Sequence, residues 1–246
     1  MSTPARSCGR AFSPLASWEQ VPPQQTQAFL REAFTRYGRP SVLRVDNGTP
    51  WGASGGLPTA LVLWLAGCGI TTHHNDARRP EQNGVVERSH GTVKRWAEPW
   101  LCDSVTQLQH RAEEASRRQR ESYPYRRGGS RMEQFPSLRH SGREYSPAWE
   151  QGNWNVEEAR GVLAEVVEKR RVDQNGCVSL YSRNVGVGRA WKGTEVWVRY
   201  DPAGRRWTFY DNDGRLVQHR DAPEINHDSI LDLTASDSRT KRKPLP

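Results

Sequence analysis

Residues 80–88, Pro80-Glu81-Gln82-Asn83-Gly84-Val85-Val86-Glu87-Arg88, are the most informative stretch of this 246-residue chain. Pro80 interrupts regular structure, and Asn83-Gly84 supplies a turn from which a helix can start. From Gln82 to Trp96 the apolar residues Val85, Val86, Val93 and Trp96 recur at helical intervals, while Glu87, His90 and Lys94 share another face. The spacing predicts a helix over 82–96 with a carboxylate near its beginning. Lys94 lies seven residues beyond Glu87 and so returns to nearly the same side.

Upstream, Ser41-Val42-Leu43-Arg44-Val45 is a short β-type run that stops at Asp46-Asn47-Gly48, residues that favour a turn. A strand with Asp46 at its C-terminal end is expected. Before it, Phe29, Ala33, Phe34 and Tyr37 predict an amphipathic helix over 24–37, stopped by Gly38. After it, a Gly-rich stretch at 52–56 leads into an apolar segment, 57–67, suited to one buried helix. A short strand over 70–74 and a charged helix over 104–121 complete the alternation. Helices interleaved with short strands indicate an α/β layer fold. A carboxylate at a strand end and another on a neighbouring helix can converge on a divalent cation. Mg²⁺ takes carboxylate oxygens and keeps waters and phosphates as its other ligands, an arrangement suited to phosphoryl transfer.

Taken together, Val45-Asp46-Asn47-Gly48 and Pro80-x-x-Asn83-Gly84-x-x-Glu87-Arg88 with Thr92-x-Lys94 resemble the integrase core of retroviral integrases and of insertion-sequence transposases with a D, D, E carboxylate triad. The resemblance spans roughly residues 10–125. It implies a ribonuclease H-like α/β core, a DNA integration or transposition activity, and Mg²⁺ or Mn²⁺ held by Asp46 and Glu87 as catalytic and metal-binding carboxylates. It further implies Lys94, with Arg88 and His90, as DNA-binding residues. Asp46 and Glu87 are separated by 40 residues, a longer interval than the family's usual one. Glu81 lies nearer the usual interval but precedes Asn83-Gly84, so the motif assigns the role to Glu87. The family's first catalytic Asp stands on an early strand, and no Asp precedes Asp46 here. The expectation is therefore an incomplete core whose first strands are missing, from an N-terminally truncated transposase that is a poor enzyme as written. A non-catalytic DNA-binding protein, or an inhibitor of an intact transposase, accounts for the same features. An in-frame Asp encoded upstream of Met1 would separate the two.

Beyond the core, residues 123–160 are rich in Gly, Pro and Arg and read as a basic linker. Within 161–235, β-type runs at 162–167, 172–180, 194–200, 207–211 and 215–219 alternate with turn signals at Asn175-Gly176, Pro202-Ala203-Gly204 and Asn212-Asp213-Gly214. They predict a small all-β barrel. Residues 236–246, with Lys241-Arg242-Lys243, read as a disordered basic tail. The expected organisation is thus 1–122 partial core, 123–160 linker, 161–235 barrel and 236–246 tail.

Composition sets the outer limits. With 36 Lys+Arg against 28 Asp+Glu the formal charge is +8, and Arg supplies 31 of the cations. Arg grips phosphate bidentately, so a polyanionic partner such as DNA fits, although Arg bias also follows from a GC-rich genome. Ten Trp and five Phe exclude a wholly disordered chain. No apolar run is long enough to span a membrane, and residues 1–10 lack the core of a signal peptide. Cys8, Cys68, Cys102 and Cys177 form no C-x-x-C pair, so reduced thiols are expected. With the resemblance, this points to a cytoplasmic, nucleoid-associated prokaryotic protein whose partners are DNA ends and target DNA, a second copy of itself, or an intact transposase.

Overall fold

The computed structural model describes residues 21–52, 56–76, 84–125 and 128–235. The chain divides into two compact units, one formed by residues 1–46 and 73–149 and the other by 47–72 and 150–246. The first unit opens with α1, Pro23–Tyr37, whose Leu30 and Phe34 are buried on one side. Pro at its first turn costs no hydrogen bond there. Gly38 ends the helix at φ +72°, its N–H donating to Phe34 O at 2.8 Å. Strand β1, Val42–Val45, follows with Leu43 and Val45 buried, and pairs with β2, Thr71–His74, in a two-stranded sheet.

Helix α3, Gly84–Ala97, and helix α4, Val105–Glu121, fold back on each other through a 3-10 turn at Pro99–Leu101. Val93 and Ala97 of α3 meet Leu108, Ala112 and Ala115 of α4 in a small apolar core, with Trp96 and Cys102 against it. Ser104 caps α4 by accepting from Gln107 N. The helices expected over 82–96 and 104–121 are thus present, the first reaching one residue further at its C-terminal end and the second starting one residue later.

The stretch read as a linker is built. It carries the short helix α5, Arg131–Gln134, with a capping box from Ser130 and Glu133, a 3-10 turn at Pro136–Leu138 and the start of α6, Pro147–Asn153. Its later part straps the end of α1: Ser141 N donates to Tyr37 O and Arg39 N to Arg143 O, both at 2.8 Å. The Arg39 guanidinium lies 3.5 Å from the Trp149 ring centre, and Tyr145 packs edge-on against Phe34. Two aromatic anchors outweighed the local Gly, Arg and Pro signals.

The second unit is organised on α2, Ala60–Gly67, in which every residue is buried. It packs on α7, Val156–Ala164, and α8, His227–Leu231. The Trp64 indole N–H donates to Glu150 Oε1 at 2.6 Å, and the Trp154 indole N–H to Trp64 O at 3.0 Å. Val162, expected to open a strand, belongs to α7. Asn155 caps that helix and Glu157 and Glu158 suit its positive end, signals that override the β-branched residues.

Strands β3 (Val167–Arg171), β6 (Glu195–Asp201), β7 (Arg206–Tyr210) and β8 (Leu216–Asp221) form an antiparallel sheet in the order β3-β6-β7-β8. β4, Cys177–Leu180, and β5, Arg183–Gly186, form a separate hairpin. Along β6 the side chains of Val196, Val198 and Tyr200 are buried and their neighbours Trp197 and Arg199 exposed, the period-2 pattern of a sheet with one wet face. The expected barrel is not formed: closure needs the first and last strands to pair, and among the described residues β3 and β8 do not. The buried face is filled instead by Tyr181, stacked on Trp207, and by Tyr200 edge-on to the same ring. The expected tail, 236–246, lies outside the described residues.

Candidate functional site

Asp46 directly follows β1, and alternation along the strand explains its setting: Val45 is buried, Asp46 is exposed. The neighbouring β2 meets it there. Asn75 N donates to Val45 O at 2.9 Å, and His74 Nδ1 lies 3.3 Å from Asp46 O. His73 and His74 are both exposed, as surface residues at a strand end. The turn after Asp46 is closed by Trp51 N and Gly52 N, both donating to Gly48 O at 2.9 Å. A side chain at Gly52 would collide with Asn47 O, so only glycine fits there.

Glu87 lies in the first turn of α3, exposed, where a carboxylate also complements the positive end of the helix. Arg88, His90, Lys94 and Arg95 are exposed on the same helix. Glu87 and Lys94 stand about 10 Å apart along the axis at 1.5 Å per residue. Arg88 Nε donates back to Gly84 O at 2.9 Å. His90 is held below the usual imidazole range because its ring is partly withdrawn from water, while the Glu87 carboxylate one turn earlier pulls the other way. The loop residues Glu81, Gln82 and Asn83 lie outside the described residues.

The structure therefore brings Asp46 together with His74, and Glu87 together with His90, within one compact unit. Among the described residues, no three His, Cys, Asp or Glu side chains gather to hold a metal ion. Two exposed carboxylates are nevertheless donors of the right kind, because Mg²⁺ is commonly held by one or two carboxylates together with waters and substrate phosphates.

Three further residues bear on this helix and escaped the sequence reading. Arg95 adds a cation beside Lys94. Ser89 Oγ–H donates to Gln119 Oε1 at 2.8 Å across to α4. A helical Ser and a helical Gln carry no local signal of such a bond. It becomes visible only once the two helices are laid against each other.

The molecule is a mixed α/β protein with a C-terminal antiparallel sheet. No protein-family model matches the chain. Among solved structures it is similar to a chain of the simian T-cell lymphotropic virus intasome in complex with PP2A regulatory subunit B56 gamma. The identity is 16% and the TM-score 0.39, over 81% of this chain. The match spans 62% of the length of that chain. No helix among the described residues is long and apolar enough to cross a membrane.

Proposed function

We propose that this chain is a DNA-binding protein of the integrase-core kind, with Asp46 and Glu87 as two metal-binding carboxylates and Lys94, Arg88 and His90 as DNA contacts. The observation that supports it best is local. Asp46 directly follows a strand, and Glu87 and Lys94 lie on the exposed side of a helix in the same unit as Asp46, the setting that the two motifs imply. Mg²⁺ or Mn²⁺, when bound with DNA, would supply charge neutralisation at phosphate and a more acidic water. The protein's own part is to hold the duplex: Lys94 and Arg88 neutralise backbone phosphates, which gives affinity without reading sequence. Of the family's carboxylates the two motifs assign Asp46 and Glu87, so the role proposed for these residues is DNA binding that a divalent cation strengthens.

Fluorescence anisotropy with a labelled duplex, titrated at several salt concentrations with and without Mn²⁺, tests this reading. Affinity that falls steeply with salt and is raised by Mn²⁺ in the native chain but not in Glu87→Gln supports it. Salt-independent or absent binding refutes it.

A further inference from the structure

We infer that Gln119 and Ser89 are positioning residues for Glu87: their hydrogen bond ties the N-terminal half of α3 to α4 and so sets where the Glu87 carboxylate stands. The inference rests on the reading of Glu87 given above. Among the described residues, the apolar seam between α3 and α4 begins at Val93 and runs toward the turn that joins them. No described residue in the half of α3 that carries Glu87 belongs to it. There Val86 is 47% exposed, and Glu87, Arg88 and His90 also face water. Ser89 precedes Val93 by one helical turn and Gln119 follows Ala115 by one turn, so their bond adds one rung to the antiparallel seam at the Glu87 end.

Gln119 is 4% exposed and its neighbour Arg120 is also buried, while Arg117, Arg118 and Glu121 in the same turns are exposed. A buried amide is retained at a cost unless it is hydrogen-bonded. Ser89 is two residues from Glu87, so loss of the bond frees the first turns of α3 to fray while the seam from Val93 onward stays closed. The tie is polar and directional, which fixes the rotation of the helix about its axis as well as its distance from α4. Rotation is what decides which way Glu87 points.

Amide hydrogen exchange on the whole native chain tests the tie without reference to activity. Gln119→Leu and Ser89→Ala are expected to speed exchange at residues 87–92 by about tenfold or more, the factor that corresponds to ~1.4 kcal/mol of local stability. Residues 93–97 should be unchanged. Ser89→Thr, which keeps the hydroxyl, should restore slow exchange, and the double variant should add nothing to either single one. No change, or an equal change along the whole helix, overturns the inference.

DNA anisotropy with and without Mn²⁺ tests the consequence. If Glu87→Gln removes the Mn²⁺-dependent gain in affinity, Gln119→Leu and Ser89→Ala should reduce that gain and Ser89→Thr should recover it. If Glu87→Gln removes the gain and the tie variants leave it intact, the positioning role is refuted while the Glu87 reading stands. If Glu87→Gln leaves the gain unchanged, the Glu87 reading fails and the inference falls with it, whatever the exchange data say about the tie.

Discussion

Replacing Gly91 by Ala is expected to make the protein more stable. Gly91 lies in the interior of the 14-residue helix α3, exposed, and a Cβ built on it meets nothing within 4 Å. Glycine in such a position is disfavoured by roughly 0.5–1 kcal/mol relative to alanine, chiefly because the unfolded chain loses more backbone freedom on folding. No packing penalty opposes the gain, since the added methyl group has open space. The expected change is therefore about +0.5 to +1 kcal/mol, or roughly two- to fivefold in the folding equilibrium. Urea unfolding followed by circular dichroism would show it as a higher midpoint at unchanged slope, by a few tenths of a molar for a slope of ~1–3 kcal/mol/M. A lower midpoint, or an unchanged one, would refute the reasoning, because it would mean that Gly91 is not a solvent-facing helical position. On the proposed function the same helix side meets DNA, so Gly91→Leu should keep the fold and weaken DNA binding. The opposite signs of the two effects separate a blocked surface from an unfolded protein.

Three further outcomes are expected. Lys94→Ala should lower DNA affinity similarly on all duplex sequences and reduce the log–log salt slope by about 0.9, the value for one phosphate contact; an unchanged slope in an anisotropy titration would remove Lys94 from the interface. Glu150→Ala takes the acceptor from the buried Trp64 indole and should destabilise the protein by about 1–3 kcal/mol in chemical denaturation, whereas Glu150→Gln should cost much less; equal effects would contradict the hydrogen-bond account. Burial raises the Tyr200 phenol above its ordinary value, with the Arg160 guanidinium partly offsetting it. The unfolded chain then loses that proton first, so the associated stability is intact below about pH 10 and is lost as pH rises beyond it. Tyr200→Phe should flatten the alkaline limb of the stability curve, and a limb as steep as the native one would disprove the assignment.

Much of the first unit was legible in the chain. Periodicity located α1, α3 and α4, because each keeps its apolar residues on one side over several turns, a signal summed over many residues. The Asp46 turn and the Glu87 helix were read from residue types whose local conformational preferences are strong. Residues 139–149 were misread because their composition is that of a connector. Their order comes from Tyr145 and Trp149, whose partners Phe34 and Arg39 lie more than a hundred residues earlier. α7 was missed since Val162 opens a run that ends in the β-branched pair Val166-Val167, while the decisive signals, the Asn155 cap and the acidic first turn, occupy only a few residues. The Ser89–Gln119 bond, 30 residues apart in sequence, had no local trace at all.

By itself, then, the sequence determined the local elements and their polarity: which segments are amphipathic, where strands end in Asp-Asn-Gly or Asn-Gly turns, and that Glu87 and Lys94 share a helix side. These follow from backbone sterics and from a periodicity of 2 or 3.6 residues, both properties of neighbouring residues. Only the tertiary structure decided that the C-terminal strands stay an open sheet and that the Arg-rich stretch after α4 is strapped down. It alone joined Ser89 to Gln119. Each of these depends on free energy gained between residues far apart in the chain. Whether a strand closes a barrel, or a buried amide finds its donor, is set by what the fold brings within about 3 Å, a distance that local sequence does not encode.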